Sequence, residues 1–309
     1  VNAAPALLGY AAAVGLLGPH VMLRSKWPHR APALAVAVWS ALAASFSLCL
    51  ALGAFHLATP SAHLHGIFYT CRVALGIDPP GSSAARYGGI AAAGTVVAAL
   101  LTTLTVCVQR ARAARGRHRE VLDLVGRPSA TLRVTVLEHA APAAYCLPGR
   151  HPRVVVSRGA VELLSGKELG AVVEHERAHI AGRHHLMLAA SQAFAIVFRG
   201  LPLARGLREQ IPLLLEMVAD DRALRRYEHT VLATAMYEMA SATVPDGALA
   251  AGGHTVLVRL QRILSPTPAA HPALRSCIIA AAVVMQLLPL LVACPPGLGL
   301  DEGLASAFV

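Results

Sequence analysis

Four apolar segments leave this chain few folds to choose from. They run over about residues 3–23, 33–57, 87–108 and 277–294. A helical bilayer span needs about 20 residues, within a range of about 17–25. The fourth segment is short for a span, and Pro289 inside it permits a kink that packed neighbours tolerate. Composition points the same way: 55% of the 309 residues are hydrophobic and 14% are charged, where soluble domains carry about 25% charged. Ala and Leu supply most of the apolarity, which suits helices better than strands. The first segment is not preceded by basic residues, and Arg24 and Lys26 follow it. That pattern favours a span over a secretory signal.

The flanking charges orient these segments. Arg24, Lys26 and Arg30 follow the first; Arg110, Arg112, Arg115, Arg117 and Arg119 follow the third; Arg275 precedes the fourth. The loop at 58–86 carries only Arg72 and Arg86. The positive-inside rule then places both termini outside and residues 115–275 in the cytoplasm. The arginine run abuts a span and lacks interleaved aromatics, so it reads as an anchor on anionic lipid rather than a nucleic-acid site. The six cysteines form no C-x-x-C pair, so neither a zinc knuckle nor a thioredoxin motif is present. Cys49, Cys107 and Cys277 read as small hydrophobes. Cys71 and Cys294 fall on one side of the membrane in this topology, where a disulfide is allowed.

The polar part, about 160 residues, is long enough for one core. Thr131–Leu137 alternates and Arg153–Ser157 is β-branched, with a turn at Leu147–Gly149 between them. Helical patterning follows. A helix from Lys167 to about Ala190 opens with Ser165 and Glu168 spaced as a capping box. Further helices are expected over 213–227 and 230–242, punctuated by Pro202 and Pro212. Residues 247–253 read as a small-residue loop.

The first of those helices carries His175-Glu176-Arg177-Ala178-His179. Residues i and i+4 share a helix face, so both imidazoles point the same way. H-E-x-x-H on a helix is the arrangement for two nitrogen ligands on one zinc, with the intervening Glu as general base. A catalytic zinc takes a third protein ligand. Glu216 lies on a later helix, with Asp220 one turn beyond it. The pairing favours Glu216 as ligand, with Asp220 holding the N–H of a ligand His; Asp220 as the ligand is the alternative. Asp221 is rotated about 100° away, toward solvent or an arginine. His184 and His185 are expected at the surface or core edge, because His184 would lie about 13 Å beyond His175 on one continuous helix. Zinc on His175, His179 and Glu216 would polarise a water and the scissile carbonyl, and Glu176 would move the proton. Arg222, Arg225 and Arg226 are weighed as oxyanion holders against the plainer reading of a solvated helix face.

With these residues in place, the chain resembles the BlaR/MecR family of integral-membrane zinc metallopeptidases. The likeness is carried by Ala144-Tyr-Cys-Leu-Pro-Gly149, Val154–Ser157 with Gly159, the stretch Glu168–His184, and Glu216–Ala223. It implies a mostly α membrane protein: four transmembrane helices with an inserted α+β gluzincin-like zinc peptidase domain. Residues 1–114 would hold three spans, 115–275 the peptidase, and 276–309 the fourth span and a short tail. It also implies that the strand at Ala141–Cys146 lies beside the zinc. Ala143, Ala144 and Tyr145 would then bind an extended substrate by strand addition. The implied partner is a BlaI/MecI-like DNA-binding repressor, cleaved at the plasma membrane of a bacterium in antibiotic-resistance signalling. The chain would contact the lipid bilayer but no nucleic acid directly, and an oligomer is allowed. Only about 15 residues follow the fourth segment, and no S-x-x-K motif lies in them, so the expected form lacks a penicillin-sensor domain. The rival readings are an HtpX-like quality-control protease and a non-enzymatic signalling scaffold.

Overall fold

The structure is a computed structural model that describes residues 3–58, 84–129, 131–242, 253–265 and 271–293. Cys71, Cys294, most of the 58–86 loop, most of the 247–253 loop and the C-terminal tail lie outside the described residues. Eleven helices and four strands are seen among the described residues. They run α1 (Ala4–Arg24), α2 (Trp27–Arg30), α3 (Pro32–Ala58), α4 (Ala84–Val125), β1 (Gly126–Ser129), β2 (Val134–Leu137), β3 (Ala144–Leu147) and β4 (Arg153–Ser157). Then come α5 (Arg158–Leu163), α6 (Gly166–Ala181), α7 (His184–Val197), α8 (Pro202–Ala223), α9 (His229–Ser241), α10 (Gly253–Leu264) and α11 (Pro272–Ala293).

Helices α1, α3, α4 and α11 are long and apolar enough to cross a membrane. Pro289 shows how its neighbours accommodate it. Having no N–H, it leaves the Met285 carbonyl without its helical donor. The Tyr10 and Ser45 hydroxyls, from α1 and α3, donate to that carbonyl at 3.1 and 3.0 Å. Gln286 Nε2 donates to Ala41 O at 2.7 Å, adding a third tie between α11 and α3.

The third apolar segment does not stop where its hydropathy falls. Helix α4 is 42 residues long in all, about 63 Å at 1.5 Å per residue, and runs directly into β1. The arginine run is its continuation, because Arg and Ala are both strong helix formers. The sheet has the order β1-β2-β4-β3, with β2 and β4 parallel and the other pairs antiparallel. Strand β4 is central, and its Val154, Val155 and Val156 are buried, which explains an uninterrupted β-branched run. Strand β3 is at an edge.

Two sequence expectations are corrected here. The helix drawn from Lys167 to Ala190 is two helices, broken at Gly182 and Arg183; Arg183 takes the left-handed conformation, with φ 49°. Gly182, at the C-cap of α6, is the signal for that break. The helix drawn from Leu213 begins eleven residues earlier, at Pro202, with Pro212 inside it. Burial of Leu203, Leu207, Ile211, Leu214 and Leu215 along one face outweighs the lost hydrogen bond. That face packs into the same apolar core as α1 and α3, together with Phe194 of α7. Phe46 of α3 meets Phe194 and Phe198 edge-on, with ring centroids at 5.9 and 5.1 Å. The apolar core therefore runs without a seam from the long helices into the helix that carries Glu216.

Candidate metal centre and cleft

The site is built where α6 and α8 cross beneath β3. The capping box at the start of α6 forms as expected: Ser165 N donates to Glu168 Oε2 at 2.8 Å and Glu168 N to Ser165 Oγ at 3.4 Å. Leu169, Val172 and Val173 bury the inner face of the helix, each worth about 1.5–3 kcal/mol when fully buried. That leaves His175 and His179 directed at α8.

His175, His179 and Glu216 each offer a ligand atom, all within 4.8 Å of one another. The two Nε2 atoms are 3.2 Å apart. Glu216 Oε2 is 3.3 Å from His175 Nε2, and Oε1 is 3.4 Å from His179 Nε2. Asp220, fully buried, faces the other nitrogen of His175, with Oδ1 3.0 Å from Nδ1, a contact close in distance though bent from ideal hydrogen-bond geometry. The structure thus brings Glu216 to the imidazole tips and puts Asp220 behind His175.

Three side chains complete the centre that the spacing alone did not reveal. His184 starts α7 with its Nδ1 2.8 Å from His179 Nδ1. For His179 Nε2 to be free for a cation, its Nδ1 must carry the ring proton, and His184 is then the acceptor that fixes that tautomer. Burial lowers the pKa of His184, which keeps it neutral for this role. The expectation of a peripheral His184 fails because the helix break returns the chain onto α6. Gly182 makes the approach possible: a Cβ there would collide with the His184 ring.

Arg259, from α10, is the second. Its guanidinium forks onto Asp220 at 2.6 and 2.8 Å and reaches Glu216 Oε2 at 2.8 Å. Three residues on, Arg262 pairs with Asp221 at 2.6 Å and donates to the His29 carbonyl at 2.7 Å. Adjacent aspartates on α8 are thus matched by two arginines one turn apart on α10. The signal in the sequence is the apolar series Val256, Leu260 and Ile263 with both arginines beside it. The third is Cys146, whose thiol is within hydrogen-bonding reach of Glu176; burial, then that carboxylate, pushes the thiol up to about 12.

Charge at the centre is unbalanced in a way that fits a divalent cation. With the imidazoles neutral, as metal ligands must be, Glu176, Glu216 and Asp220 formally sum to −3 and Arg259 adds +1, leaving −2. Burial would raise Glu216, but His175, Arg259 and His179 outweigh it and hold the carboxylate below its ordinary range. Burial is likewise overcome at Asp220, where Arg259 and His175 bring it down to about 2. Burial raises Glu176. Two imidazoles, one carboxylate and a surplus of two negative charges form the donor set that zinc prefers.

Two of the three arginines weighed as oxyanion holders are engaged elsewhere. Arg226 and Arg222 bind the buried Glu174 at 2.9 and 3.5 Å, on another face of α6. A cavity of about 320 Å³ opens beside the centre, lined by Ala143, Ala144, His175, Glu176, Glu216 and Arg259, with Met236 and Met239 among its apolar walls. A larger one, about 930 Å³, lies between α4, the sheet and α6, and contains none of the candidate ligands.

Just before β3, Ser157 N donates to Ala143 O at 2.8 Å, and two residues on Tyr145 sits opposite Val155 of β4 in antiparallel register. Antiparallel strands alternate the direction of their backbone groups. Ala144 and Cys146 therefore turn theirs to the free edge, while Tyr145 turns its own toward β4. The Tyr145 ring is also directed away, bonding His118 Nε2 at 2.7 Å.

No solved structure matches this chain. Residues 108–220 match the model of peptidase family M48. That stretch begins within α4 and ends at Asp220, so it takes in both histidines, Glu176 and Glu216, and the family it matches is one of zinc-dependent peptidases.

Proposed function

We propose that this chain is an integral-membrane zinc endopeptidase with its active site on the cytoplasmic side. The observation that carries this reading is the convergence of His175 Nε2, His179 Nε2 and Glu216 beside Glu176, at the rim of a cleft bordered by a free strand edge. Zinc held by those three residues would supply Lewis acidity to a water and to the scissile carbonyl.

Glu176 accepts the proton of the attacking water and returns it to the leaving amine. Its raised pKa brings it nearer the range in which one group both takes and gives a proton at neutral pH. Asp220 and His184 hold the two imidazoles in the tautomers that leave Nε2 free. Arg259 keeps Glu216 and Asp220 in place. The outward backbone groups of Ala144 and Cys146 pair with an extended segment, and the apolar wall at Met236 and Met239 takes a side chain.

The substrate proposed is a BlaI/MecI-like DNA-binding repressor. Support comes from the order of the chain, three apolar helices before the site and one after it, and from the arginines that cluster beside the site rather than in the 58–86 loop. Incubating the purified full chain and Glu176→Gln with a BlaI-like repressor from the same genome tests this. Defined fragments from the wild type alone are expected. Fragments from both proteins would remove Glu176 as the base.

A second reading, quality control of membrane proteins, has its own support. The N-terminal half of α8 shares a core with α1 and α3, so the zinc ligand Glu216 is only a few turns from the long helices. Cleavage of a misfolded membrane protein, with the repressor left intact, would favour it.

A further inference from the structure

A second charged cavity plays no part in that chemistry. It encloses about 600 Å³ between α4 just past its apolar stretch, the β3–β4 turn and the α6–α7 corner. Arg112, Arg115 and Arg119 enter from α4, Arg150 from the turn, and Arg183 and His185 from the corner. No carboxylate lines it. The arginines set into the peptidase domain's ion-pair networks are matched: Arg222 and Arg226 to Glu174, Arg259 to Asp220, Arg262 to Asp221, Arg153 to Asp123. Here Arg112, Arg115, Arg150 and Arg183 have no ion pair or side-chain hydrogen bond among the described residues.

Two residues lining the cavity also carry a buried polar atom without a partner. Arg119 is anchored by the Leu147 and Pro148 carbonyls at 3.3 and 2.8 Å, yet its Nε is buried without a partner. His185 Nδ1 is buried without a partner as well. Buried polar atoms without a protein partner are places where a native fold holds water or an ion. Burial, then Arg119 and Arg112, lower the Arg115 guanidinium, and burial with Arg115, Arg112 and Arg183 lowers His185. Burial is the larger cause of both shifts, and the neighbouring guanidiniums add a repulsion that an anion would relieve.

The place of the cavity narrows the anion. Arg112 is four residues past Val108, the end of the apolar run of α4. On the corner side α7 begins, exposing Leu186, Met187 and Leu188. Basic groups beside an apolar rim, at the end of a helix that spans, sit at headgroup level. Arginine forks match phosphate oxygens in pairs.

We propose that this pocket binds the phosphoryl group of an anionic phospholipid headgroup, between the arginines of α4 and the α6–α7 corner. The proposal takes from the functional reading only that α4 crosses the membrane, not the peptidase chemistry. Bound there, the anion neutralises the corner that carries His184, the ring that touches His179.

The test is native mass spectrometry of the full chain released from phosphatidylcholine nanodiscs with and without phosphatidylglycerol, with inorganic pyrophosphate added to detergent-purified protein as a separate arm. One phosphatidylglycerol retained per chain is expected. Arg115→Gln and Arg183→Gly should each weaken that binding roughly tenfold, the size of one lost charge-assisted contact. Glycine is at ease at the left-handed position 183, so Arg183→Gly keeps its melting temperature, and its loss of lipid is not a loss of fold. Equal retention of phosphatidylcholine, or phosphatidylglycerol binding unchanged in both variants, would overturn the proposal. Pyrophosphate binding that falls in the variants, with no preference for phosphatidylglycerol, would keep the phosphoryl site and overturn the lipid.

Discussion

Glu174 and Glu216 are both carboxylates set in ion-pair networks around α6, and the chain treats them oppositely. Glu174 is 4% exposed and is surrounded by Arg177, Arg222 and Arg226. Its charge is answered several times over by side chains of the same protein. Glu216 and Asp220 share one arginine, Arg259, and otherwise lie against the imidazoles of His175 and His179. A carboxylate that holds structure is saturated with cations, whereas one that serves chemistry is left short of them. The arginine pocket at the α6–α7 corner is the mirror case, with guanidiniums gathered and no carboxylate. At these two places, several like charges gathered around one cavity without enough opposite charge mark a site that takes a ligand from outside.

The sharpest break of that contrast is Glu176→Gln. Peptide cleavage should fall by about 10²–10⁴-fold, the usual worth of a positioned general base, while bound zinc, measured by atomic emission, stays at one per chain. Cleavage within tenfold of wild type would place the base elsewhere. Next is Glu216→Ala, which should lose more zinc affinity than Asp220→Asn. The latter is expected to cost about 10–100-fold, as for a residue that orients a ligand histidine. Competition against a chromophoric chelator measures both, and a reversed order would make Asp220 the ligand. Gly182→Ala should push the His184 ring off His179 and weaken zinc on the order of tenfold, with cleavage falling in step. Unchanged affinity would show that His184 does not hold the His179 tautomer. Smallest of all should be Glu174→Gln. Its partners are half-exposed arginines that can turn to water, so about 1–2 kcal/mol of stability is lost in chemical denaturation. Zinc affinity should not move, and a change there would join the two networks that the structure keeps apart.

Local spacing made much of this legible beforehand. His175, Glu176 and His179 face one way because a helix repeats every 3.6 residues, and the capping box at Ser165 marked where that helix begins. Glu216 with Asp220 was readable for the same reason, one turn apart on one face. Errors arose where a local signal was outvoted by packing. Pro212 reads as a stop, yet the burial of Leu207, Ile211 and Leu214 carries α8 through it. The fall of hydropathy after Val108 reads as an end, yet α4 continues, because hydropathy reports the solvent around a helix and not its hydrogen bonds.

What the sequence determined by itself, then, is whatever depends on neighbours within a turn or two: four apolar helices, the H-E-x-x-H face and the E-x-x-x-D pair. What only the tertiary structure decided is which distant groups meet them. Arg259 reaches Asp220 across 39 residues, Cys146 is turned toward Glu176 by the register of β3 on β4, and His184 folds back because one residue, Arg183, is left-handed. Periodicity carries information along one element, and none about how two elements are set against each other. That setting comes from burying apolar faces together, which the whole chain does at once.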